Sequence, residues 1–322
     1  MSGRREPPEP TDGGEIAQQA PPRRRRGWWW WLKWTVRGLF LLAIAGVFVV
    51  GLDRLFYLPD QRIEATPADL KLAYEDVTFP TSDGLTLSAW FLPAVGEPRG
   101  TVIHFHGNAA NIGNHVFASY WLVYERFNLL VFDYRGYGKS EGSPTRAGTI
   151  RDGLAAVDYL LSREDVDPKR IVALGQSLGG AVATVVAAKR PEIRAVVLDS
   201  TFGNYRHIGA AHLKKAIRWG WLADKLAAAL LSDDYEPVDY VARISPRPVL
   251  VIASPDDEVC YAPLGRELYD AAAEPKEWVL VSGGRHLEVV ADNVDNVQAR
   301  IVAFYERALA ASPAVITPTS AP

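Results

Sequence analysis

The balance of apolar and polar positions changes character along the chain. Residues 1–27 carry almost no apolar side chains and are rich in Pro, Gly, Glu and Arg. Such a segment cannot bury enough surface to offset its ordering entropy, so disorder is predicted there. It ends in Arg23-Arg24-Arg25-Arg26, followed by Trp28-Trp29-Trp30-Trp31 and an uncharged apolar stretch at residues 38–52. The other end, residues 312–322, holds three prolines and no charge and is also predicted to be disordered.

Between these ends, short apolar runs alternate with segments of helical spacing. Strands are predicted at residues 85–92, 101–105, 129–132, 171–174, 195–198, 249–252 and 278–281. Helices are predicted at 112–126, 149–161, 179–189, 264–273 and 294–311; in 149–161 the apolar residues Ile150, Leu154, Val157, Leu160 and Leu161 fall on one face. Short apolar strands alternating with helices imply an α/β fold, a mostly parallel sheet covered by helices on both faces.

The N-terminal pattern implies a membrane segment. A spanning helix needs about 20 mostly apolar residues. Residues 28–37 complete that length, because tryptophans favour the interface and Lys33 and Arg37 can snorkel to the headgroups. A signal-anchor at 28–52 is therefore expected. The basic cluster precedes it, placing the N-terminus in the cytoplasm and the rest on the extracytoplasmic side. Two alternatives stand beside this. One is a cleaved signal peptide, with Ala43-Ile44-Ala45 as a small-x-small site, although the apolar run continues past it to Leu52. The other is a buried N-terminal helix of a soluble protein. Residues 53–73, with Pro59 and Pro67, read as a juxtamembrane linker, leaving 74–311 as the folded domain.

Composition changes this picture little. Hydrophobic residues make up 48% of the 322, enough for a large core, and the net charge of −3 gives no reason to expect a nucleic-acid partner. The single cysteine, Cys260, excludes intramolecular disulfides and a multi-cysteine zinc site.

The chemistry concentrates in one motif. The strand at 171–174 runs into Gly175-Gln176-Ser177-Leu178-Gly179-Gly180, which is G-x-S-x-G with a strand before and a helix after. A serine on that sharp turn projects its hydroxyl above the sheet edge, and the flanking glycines remove Cβ atoms that would collide with neighbouring backbone. In this arrangement an acid and then a histidine follow along the chain. Of the six histidines only His207, His212 and His286 follow Ser177. His286 lies on the loop after a strand, where a base belongs; His207 and His212 fall in a segment read as a helical cap. The strand at 249–252 leads into Asp256-Asp257-Glu258, and spacing does not choose between Asp256 and Asp257. Asp199, after the preceding strand, is a weaker candidate. An oxyanion hole would use the backbone N–H of Leu178 and, from the loop His104-Phe105-His106-Gly107-Asn108-Ala109, that of Asn108. His104 reads as core-facing, and His106 as a brace for that loop.

Three motifs together resemble the Bem46-type α/β-hydrolases: residues 106–112 (His-Gly-Asn-Ala-Ala-Asn-Ile), residues 133–142 (Asp-Tyr-Arg-Gly-Tyr-Gly-Lys-Ser-Glu-Gly) and residues 175–180. The resemblance covers about residues 74–309. It implies an α/β-hydrolase fold, an N-terminal anchor and a serine hydrolase needing no metal or organic cofactor. The family's D-E-x-V-P stretch aligns Asp257 with the acid, though Cys260, Tyr261 and Ala253-Ser254 depart from its pattern. The 133–142 motif is then structural, with Arg135 as an ion-pair hub. The expected reaction is hydrolysis of an ester-like bond by Ser177, His286 and Asp257. Thioesters and amides are open to the same triad, and a non-catalytic membrane-tethered scaffold is the alternative from another class. Residues 201–234 would cap the site. Their Trp219, Trp221, Leu222, Leu226, Leu230 and Leu231, beside Lys214, Lys215 and Arg218, would suit a lipid-like acyl substrate or would only pack the cap onto the core.

Overall fold

A computed structural model of the chain describes residue 3 and residues 27–29, 31–39, 56–217 and 219–311. It divides into two units, Met1–Val49 and Val50–Pro322. In the first, residues 28–29 and 31–39 are helical, and Trp28, Trp29, Trp31 and Trp34 are exposed. Among the described residues no helix is long and apolar enough to cross a membrane. The anchor reading rests mainly on residues 40–52, which lie outside the described residues, as do most of 1–27 and all of 312–322.

The second unit is built on an eight-stranded sheet. A two-residue strand, β1 (Leu58–Pro59), comes first, then β2 (Glu75–Pro80), β3 (Thr86–Leu92), β4 (Gly100–Phe105) and the two-residue β5 (Ala109–Ala110). They are followed by β6 (Phe127–Phe132), β7 (Ile171–Gln176), β8 (Ile193–Asp199), β9 (Val249–Ala253) and β10 (Lys276–Leu280). The main sheet runs β10-β9-β8-β7-β4-β6-β3-β2, parallel from β10 through β6 and antiparallel at β6–β3–β2. Every residue of β4, β6 and β7 is buried, as strands covered on both faces must be. From β4 the chain moves outward to β6 and then returns to β7 on β4's other side. The carboxyl ends of β4 and β7 thus meet at a switch point of the winding, where α/β sheets bind ligands.

Helices cover both faces. α1 (Ile112–His115) is short; α2 (Arg146–Ser162) and α3 (Leu178–Lys189) are long and lie on one face with Phe105, Ile103 and Val196. α4 (Tyr205–Ala216) and α5 (Gly220–Leu230) form the cap, and α6 (Ala262–Ala271) returns to the sheet. After α7 (Glu288–Ala291), α8 (Val297–Ala310) packs Ile301, Phe304 and Tyr305 on the opposite face, and the Tyr305 hydroxyl donates to Ala173 O at 2.9 Å. α3 is apolar on every side and ten of its twelve residues are buried, which is how a helix wedged between sheet and neighbouring helices reads.

Two elements differ from expectation for identifiable reasons. The helix predicted over 112–126 is α1 followed by two 3₁₀ turns, Val116–Ala118 and Tyr120–Val123. Val116, Trp121, Leu122 and Val123 are all buried in the core cluster that also holds Ile301, Phe304 and Tyr305, while Phe117 and Tyr124 are exposed. The last helix is interrupted before Val297, because Asn293, Asp295 and Asn296 adopt positive φ. Residues 56–73, which look like a linker, contain β1 and a 3₁₀ turn, Pro67–Leu70, and are bound to the domain.

Candidate active site

β7 enters its turn at Gly175 and delivers Ser177 at φ 52°, ψ −120°, an unusual conformation for a residue with a side chain. The glycines around it are required by space. A Cβ on Gly179 would lie 2.0 Å from Phe105 O, and one on Gly175 would lie 2.7 Å from Gly179 O. Ser177 N donates to Asp199 O at 2.9 Å, and Thr201 Oγ1 donates to Ser177 O at 2.7 Å, tying the turn to β8.

Ser177 Oγ lies 3.1 Å from His286 Nε2. His286 Nδ1 lies 2.9 and 3.1 Å from the two carboxylate oxygens of Asp257. The carboxylate accepts, so Nδ1 carries the proton and Nε2 accepts from the serine hydroxyl. Asp257 is almost wholly buried, and its Oδ1 also accepts from Val259 N and Cys260 N, both at 2.8 Å. Asp256 points elsewhere: its Oδ2 accepts from Gly283 N at 2.8 Å and so steadies the loop that carries His286. Asp199 accepts from Gln176 Nε2 and Ser200 Oγ, and burial raises its carboxyl to about 6. Cys260 brings its thiol within 3.8 Å of Ser177 Oγ, and burial pushes that thiol up from its ordinary value.

The loop after β4 lies beside Leu178, because Phe105 is in register with Gly175. His104 is buried between Gln176 Oε1 (2.9 Å) and Ser119 Oγ (2.8 Å), and burial lowers it to about 3, so it is a neutral core group. His106 Nδ1 donates to Gly107 O at 2.7 Å, the brace expected of it. Its Nε2 is buried without a hydrogen-bond partner, 3.8 Å from Asp133 Oδ1, and burial lifts Asp133 to about 7. The Tyr137 hydroxyl donates to Asn108 O at 2.7 Å, and His115 Nε2 donates to Ala109 O at 2.8 Å. Burial lowers His115 below its ordinary value, so it too is neutral.

A cavity of about 720 Å³ opens beside Ser177 and His286, within the range of small-molecule sites. Its walls include Phe56 and Leu58 from the N-terminal segment, Ile208 and Leu213 from α4, and Leu230 and Leu231 at the end of α5. Among the described residues no Lys, Arg, Asp or Glu lines it. The cap residues therefore divide: Leu230 and Leu231 face the cavity, whereas Trp219 and Trp221 are exposed. Of the cap histidines, His212 lines the cavity, while His207 is exposed and pairs with Glu267 at 2.9 Å. No three metal-ligating side chains converge among the described residues. Sequence reasoning missed His115, Tyr137, Phe56 and Leu58. The last two are about 50 residues from the motif they touch, and no local pattern marks that contact.

The chain matches the α/β-hydrolase fold family over residues 100–239. It is 36% identical over 297 residues to an uncharacterised protein, YfhR, of Salmonella typhi, covering 86% of this chain and 97% of that one. It is 30% identical to the Bem46 protein of Schizosaccharomyces pombe, over 62% of this chain and 65% of the relative. Among solved structures it resembles the Pyrococcus furiosus esterase Pf2001, with a TM-score of 0.65 and 25% identity over 78% of this chain and 98% of the esterase.

Proposed function

The chain belongs to the Bem46-type α/β-hydrolase family, and from that premise we propose that it is a serine hydrolase acting on carboxylic esters. The observation that carries this reading is the continuous hydrogen-bonded line from Ser177 Oγ through His286 to the buried carboxylate of Asp257. Ser177 attacks the ester carbonyl while His286 Nε2 takes its proton. Asp257 holds the imidazole in the required tautomer and stabilises the imidazolium. The N–H groups of Leu178 and Asn108 receive the developing oxyanion. His286 returns the proton to the leaving alcohol, then activates water to release the acyl group from Ser177.

The cavity favours an apolar acyl substrate. A chain seated among Phe56, Ile208, Leu213 and Leu231 loses water-exposed surface, worth up to about 0.8 kcal/mol per methylene, or roughly fourfold in kcat/KM. A charged chain would find no partner on those walls. Esters with longer acyl chains are thus the preferred substrates, in keeping with a lipid-like class.

Labelling of the folded protein by a fluorophosphonate probe tests the assignment. Wild type should label and Ser177→Ala should not. A wild type that folds but does not label would sink the serine-hydrolase reading in favour of a non-catalytic scaffold.

A further inference from the structure

Four consecutive carbonyls of the loop after β4 each accept a hydrogen bond. Gly107 O takes His106 Nδ1, Asn108 O takes the Tyr137 hydroxyl, Ala109 O takes His115 Nε2, and Ala110 O takes Asp60 N at 3.1 Å. The last donor comes from the segment ahead of the domain, and it is not an isolated contact. β1 pairs in parallel with β5, Leu58 opposite Ala109 and Pro59 opposite Ala110. The Asn108 side chain grips the same segment at two points: Oδ1 accepts from Leu58 N at 3.1 Å, and Nδ2 donates to Phe56 O. Asn111 Nδ2 donates to Asp60 O (3.1 Å) and Arg62 O (2.8 Å), and Gly138 N donates to Asp60 O at 2.9 Å.

Packing alone would explain these bonds if the loop were in a relaxed shape, and it is not. Ala110 sits at φ 67°, a region that residues with a Cβ rarely enter, and such a conformation persists where its surroundings over-determine it. The geometry also bears on chemistry. Asn108 N–H shares a rigid peptide plane with Gly107 C=O, so the His106 bond on one side aims that N–H on the other. Rotation at the next plane is opposed by the Tyr137 bond and by the side-chain clasp. A donor to a developing oxyanion needs to be held within about 0.5 Å of its productive position.

We infer that residues 56–62 form a strap that holds this loop in its working shape, with the Asn108 side chain as the positioning group that clasps it. The inference rests on the proposed hydrolase mechanism. The backbone N–H of Asn108 meets substrate; its side chain is a positioning group, clasping the strap and also accepting from the Tyr137 hydroxyl at 3.2 Å. The strap also closes one wall of the cavity with Phe56 and Leu58, and Phe56 packs edge-on against Tyr205 of α4. The strap begins four residues beyond Leu52, the last residue of the apolar stretch.

The test uses the full chain and a short acetyl ester, so that loss of the Leu58 side chain from the cavity is not what is read. Asn108→Ala removes the clasp and keeps the backbone N–H. Leu58→Pro removes the donor on the strap. Each should lower kcat by about tenfold to a hundredfold with KM within about threefold, less than the full loss of an oxyanion donor. The double variant should be no slower than the slower single one, because both remove the same contact. Backbone amides of residues 107–111 should exchange hydrogen faster in both variants. A kcat within twofold of wild type in Asn108→Ala, losses that multiply in the double variant, or unchanged exchange at 107–111 would overturn the strap. Failure of the wild type to label at Ser177 would instead overturn the hydrolase reading, and amide exchange would still decide whether the strap holds the loop.

Discussion

Asp257 accepts from three donors, the His286 ring and the N–H groups of Val259 and Cys260, while the carboxylate of its neighbour Asp256 accepts from Gly283 N. The difference between two adjacent carboxylates is one of direction: the turn after β9 points one side chain into the site and the other along the loop. Asp257→Asn should therefore lower kcat by about 10³- to 10⁴-fold, since an amide in that place favours the wrong imidazole tautomer. Asp256→Asn keeps an acceptor for Gly283 N and should lose no more than about tenfold. Steady-state kinetics on a chromogenic ester would compare them, and an Asp256 variant that proved the worse of the two would remove Asp257 from its role. The serine and the histidine were legible because each sits on its own strand-to-loop junction. Between the two aspartates spacing did not choose, because it does not encode side-chain direction; the family resemblance pointed to Asp257, the one whose carboxylate meets His286.

At the scale of elements, the 133–142 motif shows how a structural signature works. Arg135 Nε and Nη2 bond Asp152 of α2 at 2.8–3.1 Å, and both terminal nitrogens reach Asp83 on the turn between β2 and β3 at 2.9–3.0 Å. Asp152 has no exposed side-chain surface, and burial raises its carboxyl despite the arginine. Arg135 thus fastens the motif to a helix and a hairpin at once. Arg135→Met would leave Asp152 buried without its countercharge and should destabilise the fold by about 3–5 kcal/mol. Urea denaturation followed by circular dichroism measures this; a loss under about 1 kcal/mol would show that the hub contributes little. The motif suggested an ion-pair hub, but its partners, 52 and 17 residues away, were not identifiable from local pattern. The same limit explains the segment at 112–126. Its apolar residues have enough helical spacing to suggest a helix, yet the segment is α1 and two short 3₁₀ turns whose buried residues pack into the core.

For the whole molecule, the Arg and Trp clusters and the apolar stretch after them support a single-pass anchor as a proposal, with the N-terminus cytoplasmic and the hydrolase domain beyond the membrane. Alkaline phosphatase fused after Pro322 should be active, and a green fluorescent protein in the same place should be dark if exported in unfolded form through the general secretion route. The opposite pair of signals would reverse the orientation. An anchored domain would also give the strap a second consequence, since the segment that clasps the loop follows the anchor almost directly in sequence.

The fold class and the candidate serine and histidine were legible in the sequence alone, because both arise from local physics. Buried parallel strands must be continuously apolar, helices must repeat their apolar face, and a serine between strand and helix needs glycines where backbone approaches within contact distance. Tertiary structure decided what depends on separation in the chain. It turned the Asp257 carboxylate toward His286, divided the cap residues between cavity and solvent, and drew residues 56–62 out of an apparent linker onto the loop beside Ser177. On the strap every such contact uses a backbone N–H or C=O, about 50 residues from its partner, so residues 56–62 carry no signature of it in their side chains.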